Sequence, residues 1–247
     1  MASTAAPAPQ GQASIGTFGR LTGALFNPKP TFADIARRPT WVAPVVLFCL
    51  LNVAVTAIFT QRVGWRSFME KRFENNSNFQ QLPQDQREQR LNQAAKTAPI
   101  FGYLFGVVGT PVVILLVAGI LLGAFNLLAG ASLNFKTALG IVSYAYMPGV
   151  LGGLLGILIL FLKDPSTIDL ENLVASNFAA LLTSDVSKWL TALAKSFDVF
   201  AFWILFLLAI GFSAANPKKI TMGKALGVVI GLWLVFVIVR VGLAAIF

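Results

Sequence analysis

Several polar side chains interrupt apolar stretches that are long enough to span a bilayer, and these residues are the most able to bind something. They are two asparagines, a serine, two tyrosines and the proline that follows them: Asn52, Asn126, Ser143, Tyr144, Tyr146 and Pro148. Polar groups are costly within lipid and usually face other helices or a water-filled cavity. Amides and hydroxyls that converge there could hold a small solute or a lipid. The sequence therefore predicts an intramembrane polar cluster.

Three of these polar groups lie beside Pro148 in the stretch IVSYAYMPG, residues 141–149. Proline has no N–H and its ring displaces the carbonyl four residues earlier, here that of Tyr144, so a kink is expected. The freed carbonyl needs a partner, which Ser143, a neighbouring helix or water could supply. Tyr144 and Tyr146 should point about 200° apart around a helix. The pattern favours a kink with hydrogen-bonded hydroxyls, and a ligand site is the alternative.

Asp198 and Arg240, near the ends of two apolar stretches, are predicted to form an ion pair. Asp198 precedes the fourth stretch, and Arg240 lies about two turns before the end of the fifth. Neighbouring antiparallel helices would place these charges at a similar depth, where they could pair directly or through water. The alternative is that Arg240 extends alone to the lipid headgroups.

Residues needed for the commonest catalytic mechanisms are missing from the sequence. It has no histidine, and its one cysteine, Cys49, lies within an apolar stretch. We find no HExxH, GxSxG or Walker-type phosphate-binding loop, and no pair of carboxylates within an apolar stretch. We therefore expect a protein that is not an enzyme and that binds no metal or cofactor.

The composition predicts an all-α integral membrane protein. Hydrophobic residues make up 56% of the chain and charged residues 12%, whereas soluble domains carry about 25% charged residues. A helix needs roughly 20 apolar residues to span the hydrocarbon core. Five stretches qualify, at about 42–60, 100–128, 138–162, 199–215 and 225–247. We therefore predict a five-span membrane domain over residues 42–247.

The segments outside these spans are predicted to be a tail and short amphipathic helices. Residues 1–14 contain no charge and no apolar block, which is typical of a disordered tail. Residues 15–41 form an amphipathic interfacial segment, in which Thr31 and Asp34 fit a capping box. Between the spans, we predict a polar helix over 84–96 and amphipathic surface helices over 170–182 and from Ser184 onward.

The distribution of basic residues predicts a cytoplasmic N-terminus and an external C-terminus. With that orientation, the inner segments carry eight Lys or Arg and one acid, whereas the outer loops carry ten basic and nine acidic residues. Arg37 and Arg38 lie beside Trp41 at the entry to the first span. We interpret this pair as an interfacial anchor, and a partner or anionic-lipid site is the alternative. The basic residues do not form a nucleic-acid-binding pattern.

The order of these features resembles the Yip family of Rab/Ypt-interacting proteins, and within it the prokaryotic branch. The resemblance rests on NPKPTFADIARRPTW, on FKTALGIVSYAYMPG and on SFDVFAFWILFLLAIGFS, and it covers the chain from Phe26 onward. It implies five spans, a cytoplasmic N-terminus and a non-enzymatic protein of the bacterial inner membrane. The eukaryotic branch is linked to small GTPases, but this sequence lacks its acidic N-terminal segment with a DLYGP-like motif. Small-GTPase binding is therefore doubtful.

Two classes of function fit the sequence. Glycines at four-residue spacing, such as 149 and 153 or 227 and 231, allow helices to approach closely and favour a membrane scaffold that forms homo-oligomers or binds another membrane protein. The alternative is a transporter or binder of a small solute or lipid, which requires the polar residues to surround a cavity within the bundle.

Overall fold

The computed structural model describes residues 14–74, 76–168, 170–183 and 186–246. The helices are α1 (Thr17–Phe26), α2 (Pro28–Arg37), α3 (Val42–Arg62), α4 (Trp65–Glu74), α5 (Ser77–Gln80), α6 (Gln84–Leu104), α7 (Thr110–Ala129), α8 (Phe135–Ala145), α9 (Pro148–Leu162), α10 (Lys188–Ser196), α11 (Val199–Ala215) and α12 (Met222–Ile246). In these ranges, extended pairing is limited to one antiparallel bridge between Asn177 and Asp198. The predicted all-α class is confirmed.

Within the described residues, four helical stretches are long and apolar enough to cross a membrane: Val42–Arg62, Gln84–Ala129, Phe135–Leu162 and Met222–Ile246. The second combines α6 and α7 through a π-helical turn, and the third combines α8 and α9. The fifth predicted span corresponds to α11, which is apolar but only 17 residues long. Four of the five predicted stretches therefore form helices of membrane length.

The long helices alternate in direction, so the bundle has two ends. The α2 end holds α1, α2 and the loops 130–134 and 216–221. These two loops are joined by Asn216, whose side-chain amide donates to the Ala131 carbonyl at 2.8 Å, and by Lys219, which donates to the Gly130 carbonyl at 2.6 Å. The α10 end holds α4, α5, the start of α6, the described parts of 163–187 and α10.

Pro111 explains the π-helical turn at Phe105–Gly109, just before α7. A proline cannot donate to the carbonyl four residues earlier, which here belongs to Val107. That carbonyl instead accepts a weak hydrogen bond from Cys49 Sγ of α3 at 3.7 Å. The backbone widens locally, and the Thr110 N–H donates to the Phe105 carbonyl five residues back.

The first half of α6 packs against α4 as a polar hairpin at the α10 end. The 46-residue stretch Gln84–Ala129 is about 69 Å long, so its polar beginning extends beyond a hydrocarbon core of about 30 Å. Arg66 of α4 donates to Glu88 and Asn92 of α6 at 2.9 and 2.5 Å. Its hydrogen bond and charge interaction with Glu88, supported by Glu70, raise the pKa of the Arg66 guanidinium. The predicted polar helix over 84–96 is confirmed as part of α6.

The predicted amphipathic helix over 170–182 is wrong. The structure has two short 3₁₀ turns, Leu170–Asn172 and Phe178–Leu181, separated by the non-helical residues 173–177. Side chains replace the helical hydrogen bonds, since Asn177 accepts from the Ala179 N–H at 3.1 Å and donates to Asn172 at 3.1 Å. Asparagine side chains compete with a helix in this way. A helix does follow, as α10, but Ser184 lies outside the described residues.

The kink at Pro148 is present, with a different partner for the freed carbonyl. α8 ends at Ala145, α9 begins at Pro148, and the Met147 N–H donates to the Tyr144 carbonyl at 3.1 Å. The local turn therefore satisfies this carbonyl by itself. Ser143, one of the predicted partners, donates instead to the Leu139 carbonyl at 2.7 Å.

α2 packs against other helices of the bundle, and the capping box predicted within segment 15–41 is absent; the interfacial depth of this segment stays a prediction. Thr31 lies inside α2, which begins at Pro28, so Thr31 and Asp34 do not form a capping box. Phe32 and Ile35 are fully buried, and α2 packs between α8 and α11. Gly211 of α11 allows this approach, because a Cβ at that position would clash with Ile141 and lie 2.9 Å from the Phe32 ring. α1 keeps an exposed apolar surface.

Candidate functional site

The α2 end contains a buried ion pair between α1 and α2. Arg20 Nε and Nη2 both donate to Asp34 Oδ2, at 2.8 and 2.7 Å. The two side chains are 6% and 12% exposed, respectively. Two charges that have lost their hydration depend on each other, since removal of either leaves an uncompensated buried charge. The pair is therefore the electrostatic centre of this end.

The third guanidinium nitrogen of Arg20 connects the ion pair to α3 and α8. Nη1 donates to the Arg38 carbonyl at 2.9 Å and to Thr40 Oγ1 at 2.8 Å. Thr40 Oγ1 lies 3.4 Å from the hydroxyl of Tyr144, which is fully buried. We call Asp34, Arg20, Thr40 and Tyr144 the Arg20 network. It fastens α1 and α2 to the start of α3 and to α8.

Local features of the sequence bring Arg20 and Asp34 together. Asn27 separates the two short helices, and Thr31 Oγ1 donates to its carbonyl at 2.8 Å. Gly23 lets α1 lie against α2, since a Cβ there would clash with Thr31. In the sequence, the spacing of Thr31 and Asp34 matches a capping box and does not indicate the pair. One feature of the sequence does indicate the pair. Asp34 is the first acidic residue of the chain, and it follows the isolated Arg20 in an amphipathic segment.

A groove of about 720 Å³ lies beside the Arg20 network. One wall is the outer face of α3, and the other carries residues of α8. The lining includes Thr40, Val42, Val46, Leu50, Lys136 and Tyr144. Because the three α3 side chains are about half exposed, the groove opens toward the surroundings of the bundle. The groove combines the ammonium group of Lys136 and the hydroxyl of Thr40 with an apolar channel.

The two predicted asparagines lie in separate environments. Asn52 Nδ2 donates to the Phe48 carbonyl at 2.9 Å and approaches Thr110 Oγ1 at 3.4 Å, so it links α3 to α7. Asn126 forms two hydrogen bonds with the backbone of Leu133, at 3.0 and 2.8 Å. These latter bonds close the loop between α7 and α8. Neither asparagine shares a hydrogen bond with the predicted Ser143, Tyr144 or Tyr146 in the part of the chain that the structure describes.

Tyr146 lies beside two cavities that are largely apolar. The larger, about 420 Å³, lies between α7, α11 and α12 and is lined by Val113, Leu208 and Trp233 as well as Tyr146. The smaller, about 150 Å³, lies toward α3 and is bounded by Phe48 and Thr110 among others. Cavities with so few polar groups suit an acyl chain better than a hydrated solute.

Asp198 and Arg240 have different partners. Asp198 caps α11 by accepting from the Ala201 N–H at 3.0 Å, and its second oxygen accepts a short hydrogen bond from Ser176. Arg240 Nη1 approaches Ser196 Oγ at 3.5 Å. The salt bridges between described residues do not include a direct Asp198–Arg240 pair. The capping carboxylate instead attaches the preceding loop to α11.

The interfacial arginines Arg37 and Arg38 lie at the end of α2. Arg37 Nε donates to the Ala33 carbonyl at 3.1 Å, and the Arg38 carbonyl accepts a hydrogen bond from Arg20 Nη1. Both residues are exposed, and Trp41 is 37% exposed. Across the described residues, acidic, histidine and cysteine side chains form no group of three that could hold a metal ion.

Comparison with known proteins identifies the family. The model of the Yip1 domain matches residues 22–243, nearly the whole chain. The chain belongs to the Yip1 domain family. The match includes Asp34, Thr40 and Tyr144 but begins two residues after Arg20. Together with the apolar helices, it establishes a multi-pass membrane protein. Neither the curated proteins nor the solved structures compared with the chain gave a match.

Proposed function

We propose that this Yip1-family protein is a non-enzymatic membrane scaffold whose copies associate through α12. The observation that carries the proposal is an open glycine face. Gly223, Gly227 and Gly231 follow one another at four-residue spacing, and a Cβ at any of them would meet nothing within 4 Å. Glycines at this spacing let the backbones of two membrane helices approach closely. The α12 face is therefore shaped to receive a second helix.

The other four-residue glycine pairs differ in their surroundings, and Gly119 and Gly123 of α7 are as open as the glycines of α12. Gly149 and Gly153 pack against Phe48 and Leu51 of α3, so that pair already serves a contact within the chain. α12, by contrast, is the most exposed of the four membrane-length helices, with 11% of its apolar window buried. The intramembrane asparagines have hydrogen-bond partners within the bundle, and the cavities are apolar, which favours a scaffold over a solute transporter.

Gly227→Ile is expected to weaken self-association by about 5- to 150-fold. A branched side chain would separate two α12 helices, and overpacking of this kind typically costs about 1–3 kcal/mol. The monomer should keep its fold, because space around Gly227 is open. Energy transfer between donor- and acceptor-labelled full-length copies, titrated against lipid in phosphatidylcholine vesicles, measures the association.

Gly119→Ile is the matched control, since Gly119 is also exposed and open but belongs to α7. The control should associate as the unmodified chain does. Equal association of the unmodified chain, Gly227→Ile and Gly119→Ile would contradict an α12 interface. An unmodified chain that stays monomeric at every lipid ratio would contradict it as well. Loss in the control alone would assign the interface to α7.

We further propose that α11 is a fifth span, that the N-terminus is cytoplasmic, and that the protein belongs to the prokaryotic branch and resides in the bacterial inner membrane. The charge distribution supports the orientation, since the α2 end carries eight basic residues and one acid, and the apolar composition of α11 supports the fifth span. The partners we propose are the bilayer and a second copy, not nucleic acid or a small GTPase.

Single cysteines introduced into a Cys49→Ala background test this orientation. In intact cells, a membrane-impermeant maleimide should label Ser166→Cys at the α10 end. Ser14→Cys and Lys218→Cys, at the α2 end, should react only after permeabilisation. Labelling of positions 166 and 218 from the same side would show that α11 does not cross the membrane. Labelling of position 14 in intact cells would reverse the orientation.

The 420 Å³ cavity beside Tyr146 supports a second candidate function, the binding of a lipid chain within the bundle. Its lining is almost wholly apolar and spans three helices. Native mass spectrometry of the detergent-purified full chain tests it, because a bound lipid would add its mass to that of the chain. A chain that carries no lipid in these spectra would exclude this candidate.

A further inference from the structure

The groove between α3 and α8 has the chemistry of a phospholipid site. Lys136 lies at its rim in the first turn of α8, where the positive end of the helix dipole adds to its charge. Thr40 contributes a hydroxyl, and Trp41 lies at the entry to α3. We propose that the groove binds one anionic phospholipid, with its phosphate at Lys136 and one acyl chain along α3.

The apolar wall continues the groove in the direction an acyl chain would take. Val42, Val46 and Leu50 are separated by four residues each, so they form one stripe along α3. The stripe extends about 12 Å from the helix start, because each residue adds 1.5 Å. These side chains are 54%, 48% and 63% exposed. The wall is therefore accessible from the lipid side.

The charge of the α2 end favours an anionic headgroup over a zwitterionic one. Its eight Lys and Arg residues face a single acid, Asp34. That carboxylate is buried and bound to Arg20, so it does not offset the exposed cations. Lys136 is exposed, and it is the basic residue that lines the groove itself. The groove thus combines a selective charge with an apolar channel of suitable volume.

The Arg20 network holds the groove in shape. Thr40 and Tyr144 line the groove and also belong to the network. Since Arg20 donates to Thr40 Oγ1, the Thr40 hydroxyl hydrogen remains available to Tyr144 or to a bound phosphate. The site depends on this end of the bundle and not on α12, so it is independent of self-association.

Native mass spectrometry of the full chain, released from nanodiscs that contain phosphatidylglycerol and phosphatidylcholine, tests the proposal. The unmodified protein should retain phosphatidylglycerol in preference to phosphatidylcholine. Lys136→Gln should reduce retention of phosphatidylglycerol about fivefold, as expected for one cation near a membrane surface. Lys224→Gln removes a cation from the same end but away from the groove, and it should change retention less than twofold.

The apolar channel is tested separately. Val46→Trp should fill the groove and lower phosphatidylglycerol retention, whereas Val112→Trp, on the exposed face of α7, should not. Both substituted residues are exposed, so the fold should tolerate either change. The proposal is overturned if Lys136→Gln and Lys224→Gln have equal effects, if phosphatidylcholine is retained equally well, or if inorganic phosphate displaces the lipid. It is also overturned if Val46→Trp leaves retention unchanged.

Discussion

Asp34→Ala should lower the free energy of unfolding by about 3–5 kcal/mol, the usual consequence of removing one partner from a buried ion pair. The variant leaves the Arg20 guanidinium at 5% residue exposure without the carboxylate that two of its nitrogens contact. Relocating this charge requires α1 to separate from α2, which would also loosen Thr40 and Tyr144. Unfolding of the full chain in mild detergent, followed by tryptophan fluorescence against increasing denaturing detergent, measures the change.

A surface ion pair supplies the matched control. Glu88→Ala removes a carboxylate that also contacts an arginine at 2.9 Å, but the two side chains are 46% and 54% exposed. An exposed pair contributes about 0–1 kcal/mol, so this variant should be nearly neutral. The double variant Arg20→Met/Asp34→Leu should recover much of the loss, because it leaves no unpaired charge. Equal, small effects of Asp34→Ala and Glu88→Ala would refute a structural ion pair at the α2 end.

Phe32→Ala should destabilise the protein by about 3–5 kcal/mol for a different reason, the loss of a packed aromatic ring. Phe32 is fully buried and approaches Gly211 of α11 so closely that a Cβ there would lie 2.9 Å from its ring. Removing the ring leaves a cavity between α2 and α11, and rigid helices can close it only in part. The same denaturing-detergent titration measures this loss.

Phe26→Ala is the control for Phe32→Ala. Phe26 ends α1 six residues earlier and is 76% exposed, so its truncation should change the unfolding free energy by less than about 0.5 kcal/mol. Similar effects of the two truncations would mean that α2 lies on the membrane surface, as the sequence alone suggests, and not between α8 and α11.

Asp34→Ala and Phe32→Ala test the same conclusion, that α2 is part of the folded bundle, through two independent interactions. The ion pair fixes α2 to α1, and the aromatic contact fixes α2 to α11. If both effects are large, α1 and α2 form part of the folded bundle. The groove at Lys136 is then bounded by a stably folded part of the bundle, since Thr40 lines the groove and accepts a hydrogen bond from Arg20.

The sequence alone determined the class of the protein because the relevant properties are local. Apolar length predicts membrane helices wherever the chain goes, and a proline breaks the helical hydrogen-bond pattern in any surroundings. The kink before Pro148 and the four helices of membrane length were predictable for this reason. The resemblance to the Yip family likewise rests on the order of features along the chain, and the match over residues 22–243 confirms it.

Tertiary structure decided which surfaces meet, and no local pattern contains that information. Gly149 and Gly227 belong to the same kind of sequence pair, yet Gly149 packs against Phe48 of α3, whereas Gly227 meets no neighbouring element. Asp34 fits a helix cap in sequence but binds Arg20, since α1 folds back across α2. Arg20 and Asp34 are 14 residues apart, so the ion pair that they form can be recognised only in the folded chain.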